Sequence, residues 1–293
     1  MPEPSPQEIP QGLRVSAILL AYNQAASVRR ALTALESSRE RDRLEIIVVD
    51  YASQDGTARL DTEFPAINMM RLPHHMGSAR AMNIATRTAK ADLLLFLSPD
   101  VEVTPDTVSA LATRLQSEPD TVAACPLLLD PHGQPAPRIF RLPNREALTA
   151  AAQGSPLPTV PIDAAADNVV VEFPSLDALM VRRSFVQAMN YFDQRYGHYW
   201  TDAELAMQIR RAGKKIRCYP GIHATIHAEP DPLQNEKLAA TDRMVGASEF
   251  LGKYEGGGFS FRLNAALGSL ARFDFGRFSS LLSGQKLDGS QAH

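Results

Sequence analysis

Between residues 14 and 125 the chain alternates short runs that are apolar at nearly every position with segments whose apolar side chains recur at helical spacing. That alternation constrains the fold more than any other feature. RVSAILL, LEIIVVD, INMMRL, ADLLLFL and TVAAC read as buried strands, because a strand with water on one face would show polar residues at alternate positions. After the first of them, SVRRALTALES places Val28, Ala31, Leu32 and Leu35 on one helical face. TPDTVSALATRL predicts a helix capped by Thr104 with Pro105 at its first position. The order βαβαβαβαβ implies an α/β fold with a mostly parallel, Rossmann-like sheet flanked by helices. Such sheets take ligands at the carboxyl ends of their strands. Tyr22 and Asn23 follow the first strand, Asp50 ends the second, and Asp100 follows the fourth, so the polar residues gather at that edge.

With 293 residues, 44% of them hydrophobic, the chain can close a sizeable core. Its net charge of −3 supplies no positive field for a polyphosphate backbone, which argues against nucleic acid as a partner. No apolar run approaches the roughly 18–20 residues that span a bilayer. The opening MPEPSPQEIPQG is proline-rich and acidic, without the basic start and apolar stretch of an export signal, so residues 1–13 are expected to be a flexible N-terminus. Cys125 and Cys218 are too few for a disulfide framework and too far apart for a metal knuckle. Free thiols in a reducing cytoplasm are the expectation.

Residues 126–161 carry eight prolines and little periodicity and read as a long surface loop within a domain spanning 14–230. The globular pattern resumes over 162–230 with VVVEF, a helix near Arg183 to Met189, FDQRYGHYWTDAELAMQIRRAG and KIRCYP. Residues 231–293 form a helical tail that ends in a stretch mixing glycines, five phenylalanines and Arg262, Arg272 and Arg277. That tail is a candidate for peripheral membrane contact, but packing of its aromatics on the domain's own core or on a second subunit of a homo-oligomer is the favoured reading.

Two sequence stretches invite both a structural and a chemical reading. In Asp50-Tyr51-Ala52-Ser53-Gln54-Asp55-Gly56-Thr57, an acid at a strand end leads into a turn, with Ser53, Asp55 or Thr57 available as a helix cap. In Thr201-Asp202-Ala203-Glu204, T-x-x-E is a capping box in which Thr201 caps the Glu204 amide and Glu204 reaches back. That use would leave Asp202 free to face a cleft.

Taken together, Leu20-Ala21-Tyr22-Asn23, Val48-Val49-Asp50 with Ser53, Asp55, Gly56 and Thr57, then Gly77, Ala79 and Asn83, then Leu97-Ser98-Pro99-Asp100-Val101 form a recognisable series. Phe192-Asp193, Asp202-Ala203-Glu204-Leu205, Arg210, Gly213, Pro220 and His227 continue it. In this order the motifs resemble the inverting nucleotide-sugar glycosyltransferases of family 2, with the GT-A fold, in the rhamnosyltransferase-like branch. The resemblance covers about residues 14–230.

It implies that Asp100, beside Ser98, holds Mg²⁺ or Mn²⁺ against a nucleotide diphosphate, with His227 completing the metal or phosphate site and His223 its close competitor. Asp50 would contact the base of a UDP- or dTDP-sugar, with Ala21, Asn23 and Asp55 around it. Gly77 and Asn83 belong to the same donor-side motif. Arg80 and Arg182 are candidates for phosphates, with a solvated helix face as the alternative. Asp202 would be the general base toward an acceptor hydroxyl on a glycan or lipid-linked saccharide. A cytoplasmic enzyme of surface-glycan synthesis, working near the inner membrane face, is the implied setting.

The chain departs from the family pattern at His75, Ser98, Leu176 and Thr201. These departures support a rival expectation, a catalytically degenerate GT-A domain that serves as a partner in glycan assembly.

Overall fold

The computed structural model describes residue 12 and residues 14–227, 236–271 and 273–286. The expectation for residues 1–13 therefore lies almost wholly outside the described residues, as does Arg272. The first half runs β1 (Val15–Ala21), α1 (Ala25–Glu36), β2 (Leu44–Asp50), β3 (Asn68–Arg71), α2 (Ser78–Thr88), β4 (Leu93–Leu97), β5 (Val101–Val103), α3 (Thr107–Ser117) and β6 (Thr121–Leu129). The second adds β7 (Ile139–Phe140), α4 (Arg145–Ala152), β8 (Val169–Val171), β9 (Phe173–Pro174), β10 (Ala178–Arg182), α5 (Arg183–Ala188), α6 (Thr201–Arg211), β11 (Lys215–Ile226), α7 (Glu236–Tyr254), α8 (Gly258–Ala271) and α9 (Phe275–Ser283).

Nine strands form one sheet in the order β3-β2-β1-β4-β10-β6-β11-β5, with β8 on β11, while β7 and β9 make a separate ribbon. From β3 to β4 all neighbours are parallel. The apolar runs of β1, β2, β4 and β6 are continuous because both faces are covered, whereas INMMRL, expected to be buried, forms the edge strand β3 with Asn68 and Arg71 exposed. Ala17, Leu19, Ile46, Val48, Leu93 and Leu95 share a core cluster with residues of α1 and α3. Their alternate neighbours Ile18, Ile47, Val49, Leu94 and Phe96 pack with α2, α6 and α7.

The topology decides what reaches the ligand edge. Parallel β1, β2 and β4 end there together. Antiparallel to β4, β10 pairs Ala178 with Leu97, so it starts where β4 stops. The segment Leu176-Asp177 therefore arrives at the same edge, fixed by a 2.8 Å bond from the Ser98 N–H to the Asp177 carbonyl.

Several expectations need correction. Helix α3 begins at Thr107, not Pro105, because the Thr104 N–H donates to Thr107 Oγ1 at 3.0 Å and closes a turn ahead of the helix. The turn after β2 enters a short 3-10 helix, Thr57–Thr62. VVVEF is two strands, β8 in the main sheet and β9 in the ribbon. The proline-rich segment is not all loop: β6 extends to Leu129, and β7 and α4 follow.

In the tail, α7 is largely core, and Phe261 and Phe278 pack against it. Phe259, Phe273 and Phe275 do not follow them and stay 71%, 83% and 63% exposed. Among the described residues no helix is long and apolar enough to cross a membrane.

Candidate active site

A cleft of about 650 Å³ runs along the strand edge. Its walls come from Tyr22 and Gln24 after β1, Tyr51 after β2, Ser98 to Asp100 after β4, His75 and Ser78 at the start of α2, Asp177 before β10, and His198 to Asp202 leading into α6. Arg138 and Arg243 supply positive charge to the lining. A pocket of this size, with apolar walls and a few converging polar groups, suits a ligand of nucleotide-sugar size.

Asp202 stands in the first turn of α6 and its Oδ1 accepts the Ala203 N–H at 2.8 Å. Burial pushes its carboxyl up from the ordinary 3.8 to about 6; the Ala203 N–H opposes this, and the negative charge of Asp177 adds to it. A carboxylate at that value is ionised at neutral pH yet basic enough to take a proton from a hydroxyl as it attacks.

The capping box is not formed. Thr201 Oγ1 is buried with no hydrogen-bond partner among the described residues. Glu204 is instead claimed from behind, by Lys253 Nζ at 2.6 Å, the Tyr254 hydroxyl at 2.8 Å and the Tyr196 hydroxyl at 3.1 Å. The helix starts from Trp200, whose φ of +73° places a bulky residue in the left-handed region, a conformation that costs about 1–3 kcal/mol unless its surroundings impose it. They do. Asp242 of α7 accepts the backbone N–H groups of His198 and Tyr199 at 2.8 and 3.1 Å, and the Trp200 indole donates to the Arg243 carbonyl at 2.8 Å. A Cβ on Gly197 would sit 1.9 Å from the Asp242 carboxylate, so glycine lets that carboxylate come so close.

The expected site residues divide. Ser98, Asp100 and Asp202 line the cleft. Asp50 is buried just behind it, with Oδ2 accepting the Ser53 N–H at 3.2 Å and Oδ1 without a hydrogen-bond partner among the described residues. Its neighbour Tyr51 is the wall residue, stacked on His75 at 4.3 Å. Ala21 is core, and Asn23 spends its side-chain oxygen on the Gln54 N–H at 2.8 Å. Asp55 accepts from Thr57 and Ala25 N–H groups at 2.8 and 3.0 Å.

Gly77 supplies a φ of +77° ahead of α2. Asn83 is buried and clamps both the N–H and the carbonyl of Phe192 at 2.8 Å. Arg80 is exposed and outside the cleft lining, and Arg182 binds backbone carbonyls of Thr121 and Glu118. His227 is not a lining residue: its Nε2 lies 3.0 Å from Glu102.

Sequence reasoning missed Asp177, Arg138, His198 and Arg243. The departures at His75, Ser98, Leu176 and Thr201 all line this one cleft.

Among the described residues no three His, Cys, Asp or Glu side chains converge as a metal cage. Asp100 is one of three carboxylates among the described residues that line the cleft, with Asp177 and Asp202, and a single such carboxylate can hold a hard cation only where phosphate and water supply most of its ligands.

Residues 16–151 match the model of glycosyl transferase family 2. An N-acetylglucosaminyl-diphospho-decaprenol L-rhamnosyltransferase of Mycobacterium tuberculosis is 26% identical over 67% of this chain and 70% of its own length. Two solved structures share the fold. S. aureus TarS 1-349 in complex with UDP-GlcNAc aligns at a TM-score of 0.58 and 13% identity, covering 94% of this chain and 74% of that one. The mannosyltransferase PcManGT of Pyrobaculum calidifontis, in complex with GDP-Man and Mn²⁺, aligns at 0.56 and 17%, covering 92% and 73%. The chain is a glycosyltransferase with the GT-A fold.

Proposed function

We propose that this glycosyltransferase moves a sugar from a UDP- or dTDP-sugar to a hydroxyl of a lipid-linked saccharide, inverting the anomeric carbon, with Asp202 as general base. The observation that carries this reading is the Asp202 carboxylate, raised to about 6 within the cleft that Asp100 also lines. The acceptor hydroxyl attacks the anomeric carbon as its proton passes to Asp202; the bond from that carbon to the phosphate oxygen breaks, and the nucleoside diphosphate leaves with the electron pair. A divalent cation at Asp100, when bound, supplies charge to stabilise that leaving group. Arg243 adds a fixed positive charge to the same lining, and its Nε has no hydrogen-bond partner among the described residues. The buried Oδ1 of Asp50 supports a role for that residue in placing the nucleoside.

The name of the mycobacterial relative, a transferase acting on a diphospho-decaprenol saccharide, supports the acceptor class. UDP-GlcNAc in TarS, and GDP-Man with Mn²⁺ in PcManGT, support a nucleotide-sugar donor and a divalent metal. The exposed Phe259, Phe273 and Phe275 support work at a membrane surface, where such an acceptor resides. The departures at His75, Ser98, Leu176 and Thr201 are read as selectivity for donor and acceptor rather than as loss of activity, because they leave an open cleft and a poised Asp202.

The test is transfer from UDP- and dTDP-sugars to a lipid-diphosphate saccharide, with product configuration assigned by NMR. Inverted product, reduced about 10²–10⁴-fold by Asp202→Asn, is expected. Failure with every nucleotide sugar, or a retained configuration, would overturn the proposal.

A further inference from the structure

A second cavity, of about 300 Å³, lies against the cleft and has a different chemistry. The ribbon of β7 and β9 is the partition. Its register pairs Ile139 with Pro174 and Phe140 with Phe173. Because successive side chains of a strand point to opposite faces, Phe140 and Phe173 line the cleft while Ile139 and Pro174 line the second cavity. Where the ribbon ends, Arg138 and Ser175 line both spaces, tied to each other by a 2.9 Å bond from the Ser175 N–H to the Arg138 carbonyl. The Arg138 guanidinium pairs through Nε with Asp177 at 3.3 Å and is half-exposed. Among the described residues, its terminal nitrogens hydrogen-bond to nothing else.

The lining of this cavity says what it would accept. Pro126, Pro135, Pro137 and Pro161 contribute walls without N–H groups, and Leu127 and Val160 add hydrocarbon. A peptide entering here would bury amides with few partners, each at a cost, whereas a hydrocarbon makes no such demand. The gateway offers a guanidinium, the group best matched to phosphate oxygens.

We infer that this cavity seats the first part of the hydrocarbon chain of an isoprenoid diphosphate acceptor, with Arg138 holding the diphosphate at the doorway and the attached saccharide reaching Asp202 in the cleft. The inference rests on the acceptor class proposed above, and it assigns that acceptor a binding site and a specificity residue. Asp177 is shared between the two halves of the arrangement: it pairs with Arg138 and its charge reaches Asp202.

The test is direct binding by the full chain, with no transfer step. Farnesyl diphosphate, kept below its micelle concentration, and inorganic diphosphate are titrated calorimetrically in the presence of saturating UDP and Mn²⁺, and UDP with Mn²⁺ is titrated separately. Farnesyl diphosphate is expected to bind at least about tenfold tighter than inorganic diphosphate, from burial of its chain. Arg138→Gln, at an exposed position that spares the fold, is expected to weaken both diphosphates about tenfold or more. Val160→Trp, which fills the cavity, is expected to weaken farnesyl diphosphate alone, with thermal melting confirming that the variant folds.

Equal affinity for the two diphosphates, or farnesyl diphosphate affinity unchanged by both substitutions, would overturn the inference. If UDP binds in that case, the donor reading stands without this subsite. Farnesyl diphosphate binding with no UDP binding would support the subsite and tell against the donor reading.

Discussion

Replacing Asp202 by asparagine is expected to make the protein more stable and almost inactive, and the stability gain is expected to depend on pH. In the unfolded chain the carboxyl titrates near its ordinary 3.8, whereas in the folded protein burial holds it at about 6. A carboxyl raised in this way adds no penalty below 3.8, where both states are protonated. The penalty builds between 3.8 and about 6, where the unfolded chain has already released the proton that the folded state retains, and it is complete above about 6, where the folded state holds a desolvated charge that the unfolded chain leaves in water. The full difference corresponds to roughly 3 kcal/mol. Asp202 keeps part of its surface at the cleft, where water screens the charge, so a gain of about 1–3 kcal/mol is expected. The asparagine side chain would keep the carbonyl oxygen that accepts from Ala203 and would lack the charge. Urea unfolding of both proteins at about pH 4, 6 and 8 reads this out: curves that nearly coincide at the acid end, and a variant that is clearly more stable at the alkaline end. A gain of the same size at both ends, or a loss at the alkaline end, would refute the reasoning, because the carboxylate would then not be desolvated.

Three further outcomes follow from the same contacts. Asp177→Asn removes a negative charge that helps hold Asp202 up, so the acid limb of the kcat/KM profile, which falls as Asp202 takes up a proton at about 6, should move to lower pH. Gly197→Ala drives a methyl group to 1.9 Å from Asp242 and should cost about 1–3 kcal/mol in chemical denaturation while lowering kcat, because the loop that carries Trp200 into α6 must shift. Asn83→Ala deprives the buried N–H and carbonyl of Phe192 of both their 2.8 Å partners, and a loss of about 2–4 kcal/mol is expected in thermal unfolding.

The sheet was legible in the sequence because strands covered on both faces must be apolar throughout, which is what the runs around Ile18, Val48 and Leu95 display. The cleft residues on strand ends, Ser98 and Asp100, were legible for the same reason: once β4 is placed, its end is placed. Asp177 was not, since it reaches the edge only because β10 enters the sheet antiparallel between β4 and β6, a pairing without a local signature. Arg243 and Asp242 lie on α7, and nothing in the helix's own pattern tells that it packs behind a loop 44 residues earlier. The capping box misled because T-x-x-E is a local rule and Glu204 answers to distant partners, Lys253 and Tyr254. Asp55 and Asn83 follow the family's motif, yet in this structure their polar atoms are spent on backbone groups, holding the turn before the 3-10 helix and the segment at Phe192.

The central claim is that the cleft at Asp100 holds a nucleoside diphosphate through a divalent cation. Isothermal titration of the full chain with UDP and with dTDP, each with and without Mn²⁺, tests it most directly, with Asp100→Ala alongside. The account predicts binding of one of the two nucleotides that needs the metal and disappears in the variant. Binding that neither metal nor Asp100 affects, or no binding of either nucleotide at millimolar concentration, would contradict it.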